Sequence, residues 1–169
     1  ICDAISKGAL KGARGNSGVI LSQILKGLTS SFNNLKEIKT MDFAEALIEG
    51  ANVAYKAVTK PKEGTILTVI KAMANASVKI AKKESEMDAF LKQVIDIGED
   101  ALSMTPELLP VLKKAGVVDA GGRGLLIILN GFLKVVSGDE SELKLQADTD
   151  KVGEGKVVPN GMNPEVVDY

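Results

Sequence analysis

Gly12-Ala13-Arg14-Gly15-Asn16-Ser17-Gly18 runs straight into Val19-Ile20-Leu21-Ser22-Gln23-Ile24-Leu25, and the rest of the 169-residue chain is read outward from this stretch. Its glycines free the backbone, Asn16 and Ser17 carry the short polar side chains that suit an N-cap, and an apolar helix follows at once. A helix beginning exposes unpaired amides at the positive end of its dipole, so the stretch reads as an anion cradle that needs no adjacent lysine. A glycine-containing connector between two helices is the plain alternative, because a lone glycine loop is a weak sign of phosphate. A start near Asn16 or Ser17 carries the helix to about Phe32, with Ile20, Ile24 and Leu28 one above another and Leu21 and Leu25 beside them.

Helical periodicity continues on both sides. Upstream, Ile1, Ala4, Ile5, Ala9 and Leu10 predict a helix over Ile1 to Lys11 that buries one side and begins without Met or cap, as the inside of a longer chain would. Downstream, Thr40 is placed to cap a third helix whose inner stripe is Ala44, Leu47, Ala51, Ala54, Tyr55 and Val58, ended at Lys60-Pro61. So many alanines suit helices that approach one another closely rather than helices laid on a sheet. Thr65 caps a fourth helix through Ile66, Val69, Ile70, Met73 and Ile80. Asp88 opens a fifth with Phe90, Leu91, Val94, Ile97, Ala101 and Leu102 inside. Thr105-Pro106 starts a short apolar helix that Gly116 ends in a left-handed cap. After Asp119-Ala120-Gly121-Gly122-Arg123-Gly124 comes Leu125 to Val136, read as helix. A buried strand is the alternative for Leu125 to Leu129, but no second strand is available to pair with it. The fold class is therefore all-α, an up-and-down helical bundle or barrel over residues 1–138. Residues 139–169 form a polar linker, with Pro164 to Tyr169 as the opening of a further domain.

Composition narrows the function classes. A net charge of -1, four Phe, two Tyr and no Trp give no electrostatic or stacking case for nucleic acid or an anionic membrane surface. Cys2 is the single cysteine and there is no histidine, which excludes an internal disulfide, a Cys/His metal site and a histidine-based triad. A reducing, cytoplasmic setting is expected. No apolar run reaches the roughly eighteen residues of a membrane span.

Three helix entries share one chemistry: Gly15-Asn16-Ser17-Gly18, Gly64-Thr65 and Asp119-Ala120-Gly121-Gly122. Helices that alternate in direction can gather these entries at one end, where converging amides, the Ser17 and Thr65 hydroxyls and the Asp119 carboxylate would hold a nucleotide. Gly15 and Gly18 would admit the phosphates, and Ala120, Gly121 and Gly122 would leave room for base or ribose. Each residue also has a purely structural reading. Ser17 and Thr65 are N-caps worth about 1 kcal/mol each, Asp119 is a turn former, and the Gly121 to Gly124 cluster permits tight helix packing. Arg14 is a phosphate contact or a solvated arginine, and Lys79 to Lys83 is a solvated helix face.

The motifs at residues 12–23, 60–69 (Lys-Pro-Lys-Glu-Gly-Thr-Ile-Leu-Thr-Val) and 116–125 (Gly-Val-Val-Asp-Ala-Gly-Gly-Arg-Gly-Leu) stand in the same order as in the N-terminal ATP-binding domain of bacterial fatty acid kinase, which this chain resembles over about residues 1–138. That domain is similar to the nucleotide-binding subunit of dihydroxyacetone kinase. The resemblance implies an up-and-down helical barrel of about eight helices in the intact domain, and fewer in this chain, with ADP or ATP across one end. By motif match Asn16 and Ser17 sit at the phosphates, Gly64 and Thr65 close by, and Asp119, Ala120 and Gly121 line the nucleotide. It further implies a separate fatty-acid-binding partner protein, reached through C-terminal domains, whose fatty acid becomes an acyl-phosphate for phospholipid synthesis. Homodimerisation is a family expectation.

One departure stands against the match. Family members carry a Pro-Asp-Gly-Asp-Thr-Gly-Thr-Asn loop that holds two Mg2+ ions, and nothing here matches it: Asp3 is misplaced, while Asp42 and Glu45 belong to a first helical turn. No metal ligand and no catalytic residue is therefore assigned within the chain, the Mg2+ ligands being expected upstream, and residues 1–169 alone are expected to lack kinase activity. Two other readings remain beside a fatty-acid-kinase-like phosphotransferase: a dihydroxyacetone-kinase-type subunit, and a non-catalytic helical interaction module.

Overall fold

In the computed structural model, which describes residues 1–138, the apolar periodicity becomes eight helices. They are α1 (Cys2–Gly12), α2 (Gly15–Ser31), α3 (Thr40–Lys56), α4 (Ile66–Ala81), α5 (Met87–Ser103), α6 (Thr105–Leu108), α7 (Pro110–Ala115) and α8 (Ala120–Val136). No strand occurs among the described residues, so the all-α expectation is met and Leu125 to Leu129 is helical. The count exceeds the expected number because Pro110 divides the predicted sixth helix. Leu109, the residue before it, is extended at φ -126°, ending α6, and Pro110 then opens α7 as its first residue. The polar linker and further domain expected over 139–169 lie outside the described residues.

The long helices alternate in direction. Phe32 at the end of α2 packs on Phe43 at the start of α3, with ring centroids 5.5 Å apart. The Ser77 hydroxyl late in α4 lies 3.3 Å from the Ala44 carbonyl early in α3, and the Tyr55 hydroxyl late in α3 lies 3.3 Å from the Leu67 carbonyl early in α4. Across α5 and α8, Gly98 meets Leu126 and Leu102 meets Gly122, again antiparallel, whereas Ile66 and Val69 of α4 meet Gly121 and Gly122 of α8 in parallel register. Consequently α2, α4 and α8 begin at one end of the bundle. The core joins Ile24 and Leu28 of α2, Ala44 and Leu47 of α3, Ile70 and Met73 of α4, Phe90 and Val94 of α5, and Leu125, Leu126 and Leu129 of α8. Among the described residues no helix is long and apolar enough to cross a membrane.

Several helix boundaries differ from expectation for local reasons. Helix α2 starts at Gly15, with extended Arg14 as its N-cap, because Gly15 takes a left-handed φ of 64° that lets the turn begin before Asn16 and Ser17. Thr40 is not a cap but the buried first residue of α3. Lys39 holds the cap position, and the Asp42 carboxylate accepts its amide proton at 2.8 Å. The glycines 121, 122 and 124 lie inside α8 rather than before it, since Asp119 already caps there. Helix α1 departs most: none of its residues is buried, and Ile1, Ile5 and Leu10 are exposed. Its apolar side instead borders an open apolar cleft that also takes in Phe132, Val135 and Val136 at the end of α8.

Helices α2 and α3 cross at backbone distance. A Cβ on Gly27 would lie 2.6 Å from the Glu49 carbonyl oxygen and 2.6 Å from Gly50 Cα, contacts that neither backbone can yield without separating the helices. Gly27→Ala is therefore expected to cost about 2–3 kcal/mol, read as a fall in the urea midpoint. Gly8→Ala, on open space in α1, is expected to be neutral or stabilising by up to about 1 kcal/mol through helix propensity. Equal effects from the two substitutions would show that the α2–α3 crossing does not require glycine.

Candidate functional site

Because α2, α4 and α8 point the same way, their first turns share a rim. The 57–65 connection between α3 and α4 crosses this rim, and together they enclose an open cleft of about 510 Å³. Asn16, Ser17, Val19 and Ile20 form its α2 wall, Ala57, Val58, Thr59, Lys60 and Lys62 come from the connection, Thr65, Ile66 and Leu67 from the start of α4, and Asp119 from the cap of α8. Of the residues read from sequence as a site, the structure brings Asn16, Ser17, Thr65 and Asp119 together on this cleft.

The remaining candidates do not line it. Gly15 serves the backbone turn described above. Gly18 packs on Ala13, 3.4 Å from the position of a Cβ. Gly64, at φ 82°, is pressed against α6 and the residue after it, where a Cβ would meet Leu109 Cβ at 2.8 Å and the Thr105 carbonyl oxygen at 3.0 Å. Ala120 is exposed, and Gly121 and Gly122 turn toward α4, facing Ile66 and Val69. For these α8 glycines the packing reading describes what the structure does: a Cβ on Gly122 would lie 2.8 Å from Val69 and 3.0 Å from Leu102.

Three helix starts offer three different capping states. Thr65 Oγ1 accepts the Leu67 amide proton at 3.3 Å and donates its own to the Lys62 carbonyl at 2.8 Å, so the hydroxyl proton expected for a phosphate is already engaged. Asp119 Oδ2 accepts the Gly122 amide at 2.7 Å, and the Asp119 amide donates to buried Thr105 Oγ1 at 3.1 Å. This carboxylate is a helix cap first. Helix α2 has no side-chain cap: Arg14 turns its guanidinium back to the Lys11 and Ala13 carbonyls, leaving the first-turn amides beside exposed Asn16 and Ser17 unclaimed by any side chain. That start is therefore the best anion acceptor of the three.

In the sequence Lys60-Pro61 reads as a helix stop and Lys62 as part of the 60–69 motif, with no ligand role for either lysine. Two cations beside a Gly-Thr helix entry were the available signal, and in the fold they supply the positive side chains of the cleft. Behind them the connection is anchored by Glu63. Its carboxylate accepts from Thr68 Oγ1 at 2.6 Å, from Tyr55 OH at 3.4 Å and from Lys71 Nζ at 3.4 Å, while Thr68 Oγ1 accepts the Gly64 amide at 2.9 Å. The Thr68 hydroxyl holds the Glu63 carboxyl below its ordinary range, with Lys71 and Tyr55 adding to the effect against the opposing influence of burial. Burial, then the neighbouring Glu63 charge and hydrogen bond, pushes the Tyr55 phenol up to about 12.

Converging amides, two lysines and an apolar wall suit a phosphorylated ligand with a flat apolar part. They do not suit a divalent metal. Asp119 is the single acid on the cleft among the described residues, one of its oxygens is spent on Gly122, and no group of three or more His, Cys, Asp or Glu stands together among them.

Comparison with known proteins identifies a family. Residues 1–134 match the family described as the DAK2 domain. The chain is 52% identical over 136 residues to Protein YloV of Bacillus subtilis, a match covering 80% of this chain and 25% of that protein. It is 48% identical over 137 residues to an uncharacterized protein of Staphylococcus epidermidis, covering 81% and 25%, and 47% identical over 134 residues to one of Staphylococcus saprophyticus, covering 79% and 24%. The chain thus spans about a quarter of the length of these curated relatives.

The Tyr55–Glu63 pair makes the connection sensitive to pH. A phenol raised above its ordinary value of 10.0 contributes stability that is complete below that value and lost as pH rises toward about 12. The lowered Glu63 carboxyl contributes stability that is present at neutral pH and lost as pH falls through its folded value. In a Tyr169→Phe background, phenolate absorbance is expected to give a Tyr55 midpoint near 12. Glu63→Gln is expected to lower that midpoint while leaving it above the ordinary value, because the charge goes and the burial stays. A midpoint indifferent to Glu63→Gln would show that the two groups do not interact.

Proposed function

The chain belongs to the DAK2 domain family, and from that premise we propose that the cleft at the shared start of α2, α4 and α8 binds ATP or ADP as the nucleotide site of an ATP-dependent phosphotransferase. The observation that carries this reading is the meeting of the uncapped α2 start, Asn16, Ser17, Lys60 and Lys62 on one cleft with an apolar side. Phosphoryl transfer asks of a protein chiefly positioning and charge neutralisation, and these groups supply both. First-turn amides of α2 and the Ser17 hydroxyl donate to phosphate oxygens. The Lys60 and Lys62 ammonium groups offset the phosphate charge, and Val19, Ile20 and Val58 face the apolar part of the nucleotide. Thr65 and Asp119 border the ligand mainly as caps that hold their helices in place. Mg2+, which the family reading brings with it, has no fitting ligand set among the described residues of this cleft.

For the whole protein, of which this chain matches about a quarter by comparison with its relatives, we propose that the acceptor is a fatty acid carboxylate presented by a separate lipid-binding protein, giving an acyl-phosphate. This rests on the three ordered motifs at 12–23, 60–69 and 116–125. Dihydroxyacetone-type phosphotransfer is the second reading, favoured by the family match itself.

Calorimetric titration of ADP and ATP into residues 1–169 tests the site. Binding is expected without a requirement for Mg2+, weakened about three- to tenfold by Ser17→Ala and by Lys62→Ala, a loss of about 1 kcal/mol each. Absence of binding at millimolar nucleotide, or affinity untouched by both substitutions, would sink the assignment. Acyl-phosphate formation by the full-length protein, compared between a carrier-bound fatty acid and dihydroxyacetone, decides the acceptor.

A further inference from the structure

The 57–65 connection carries Lys60 and Lys62 to the cleft, yet none of it belongs to a helix. A segment of this kind needs attachment if its cations are to hold fixed positions. The attachment is directional: the Thr68 hydroxyl has one proton, which goes to the Glu63 carboxylate at 2.6 Å, and its oxygen remains free to accept the Gly64 amide at 2.9 Å. The carboxylate is therefore tied through a short, charge-assisted bond to the same hydroxyl that holds the next residue's backbone. Tyr55 from α3 and Lys71 from α4 reach the other carboxylate oxygen, and Lys71 also lies over the Tyr55 ring, 5.5 Å from its centroid. One residue on, Thr65 holds the Lys62 carbonyl, and Gly64 is wedged on Leu109. Lys62 is thus pinned from the residues that follow it, and Glu63 is the side chain that joins α3, α4 and the connection.

We propose that Glu63 is a positioning residue for the cleft: through Thr68, Tyr55 and Lys71 it holds the connection so that Lys62 and Thr65 keep their places at the rim. The role rests on the reading of the cleft as a nucleotide site. An exposed ion pair alone would contribute little. What distinguishes this one is that the Thr68 hydroxyl donating to the carboxylate also accepts the Gly64 amide, two residues after Lys62.

Two measurements on the full chain separate positioning from simple stability. Amide hydrogen exchange at Gly64 reports the clamp without any ligand, and NMR titration with ADP reports the site. In Glu63→Ala and Thr68→Val, Gly64 exchange is expected to rise about tenfold or more, and ADP affinity to fall about five- to tenfold when read well below the melting midpoint of each variant, where all of them are folded. The double variant should be no weaker than either single one, because both remove the same clamp. Glu63→Gln, whose amide oxygen still accepts from Thr68, is expected to recover most of the affinity. Unchanged Gly64 exchange in Glu63→Ala overturns the clamp. Faster exchange with wild-type affinity overturns the positioning role, as do losses that add independently in the double variant. If the unaltered protein binds no ADP, the nucleotide reading falls and this role with it, a failure visible before any variant is made.

Discussion

Backbone-to-backbone contact at the α2–α3 crossing is the constraint on which the other features depend. Gly27 lies directly on the Glu49–Gly50 backbone, so the two helices run closer than any side chain would allow. The same device recurs where Gly98 of α5 admits Leu126 and Met73, and where Gly122 of α8 admits Val69 and Leu102. Small residues at these crossings set the spacing of the helices, and the larger apolar residues between them, from Ile24 to Phe90 to Leu129, fill what remains.

Direction follows from this packing and carries an electrostatic consequence. With α3 and α5 running opposite to α2, α4 and α8, three positive helix ends share one rim with the negative ends of α3 and α5, so the charge left at each start depends on its own cap. Two of these ends are neutralised by their own caps, Thr65 and Asp119. The third is not, and it is the one flanked by Asn16, Ser17 and the lysines of the connection. The rim is therefore uneven: first-turn amides unclaimed by a side chain lie at α2, and the other two starts are capped. Asp119 shows the compromise clearly, since a carboxylate that would repel phosphate is turned onto the Gly122 amide and its charge is satisfied within the helix.

Polar groups around the connection are arranged in the same economical way. Tyr55, Glu63, Thr68 and Lys71 satisfy one another outside the cleft, leaving Lys60 and Lys62 as its cationic lining. No described residue is left with a buried, unpartnered side-chain polar atom.

Much of the fold was legible in the chain itself. Apolar spacing located the long helices, Thr65 and Gly116 announced a start and a stop, and alternation of helices with short connections implied that separated glycine motifs would meet. These signals are local, since they depend on what a residue does to its own turn of backbone. Sequence could not assign Gly15 to the backbone turn and Gly122 to helix contact, nor predict that α1 would bury nothing, because those outcomes depend on which neighbour arrives from a distant part of the chain. Lys60, Lys62 and Glu63 are likewise ordinary charged residues until the fold sets them beside α2, α3 and α4. The sequence by itself determined helix, cap and stripe. Only the tertiary structure decided which helix ends meet and which polar groups remain uncommitted there, because that is settled by packing between residues far apart along the chain.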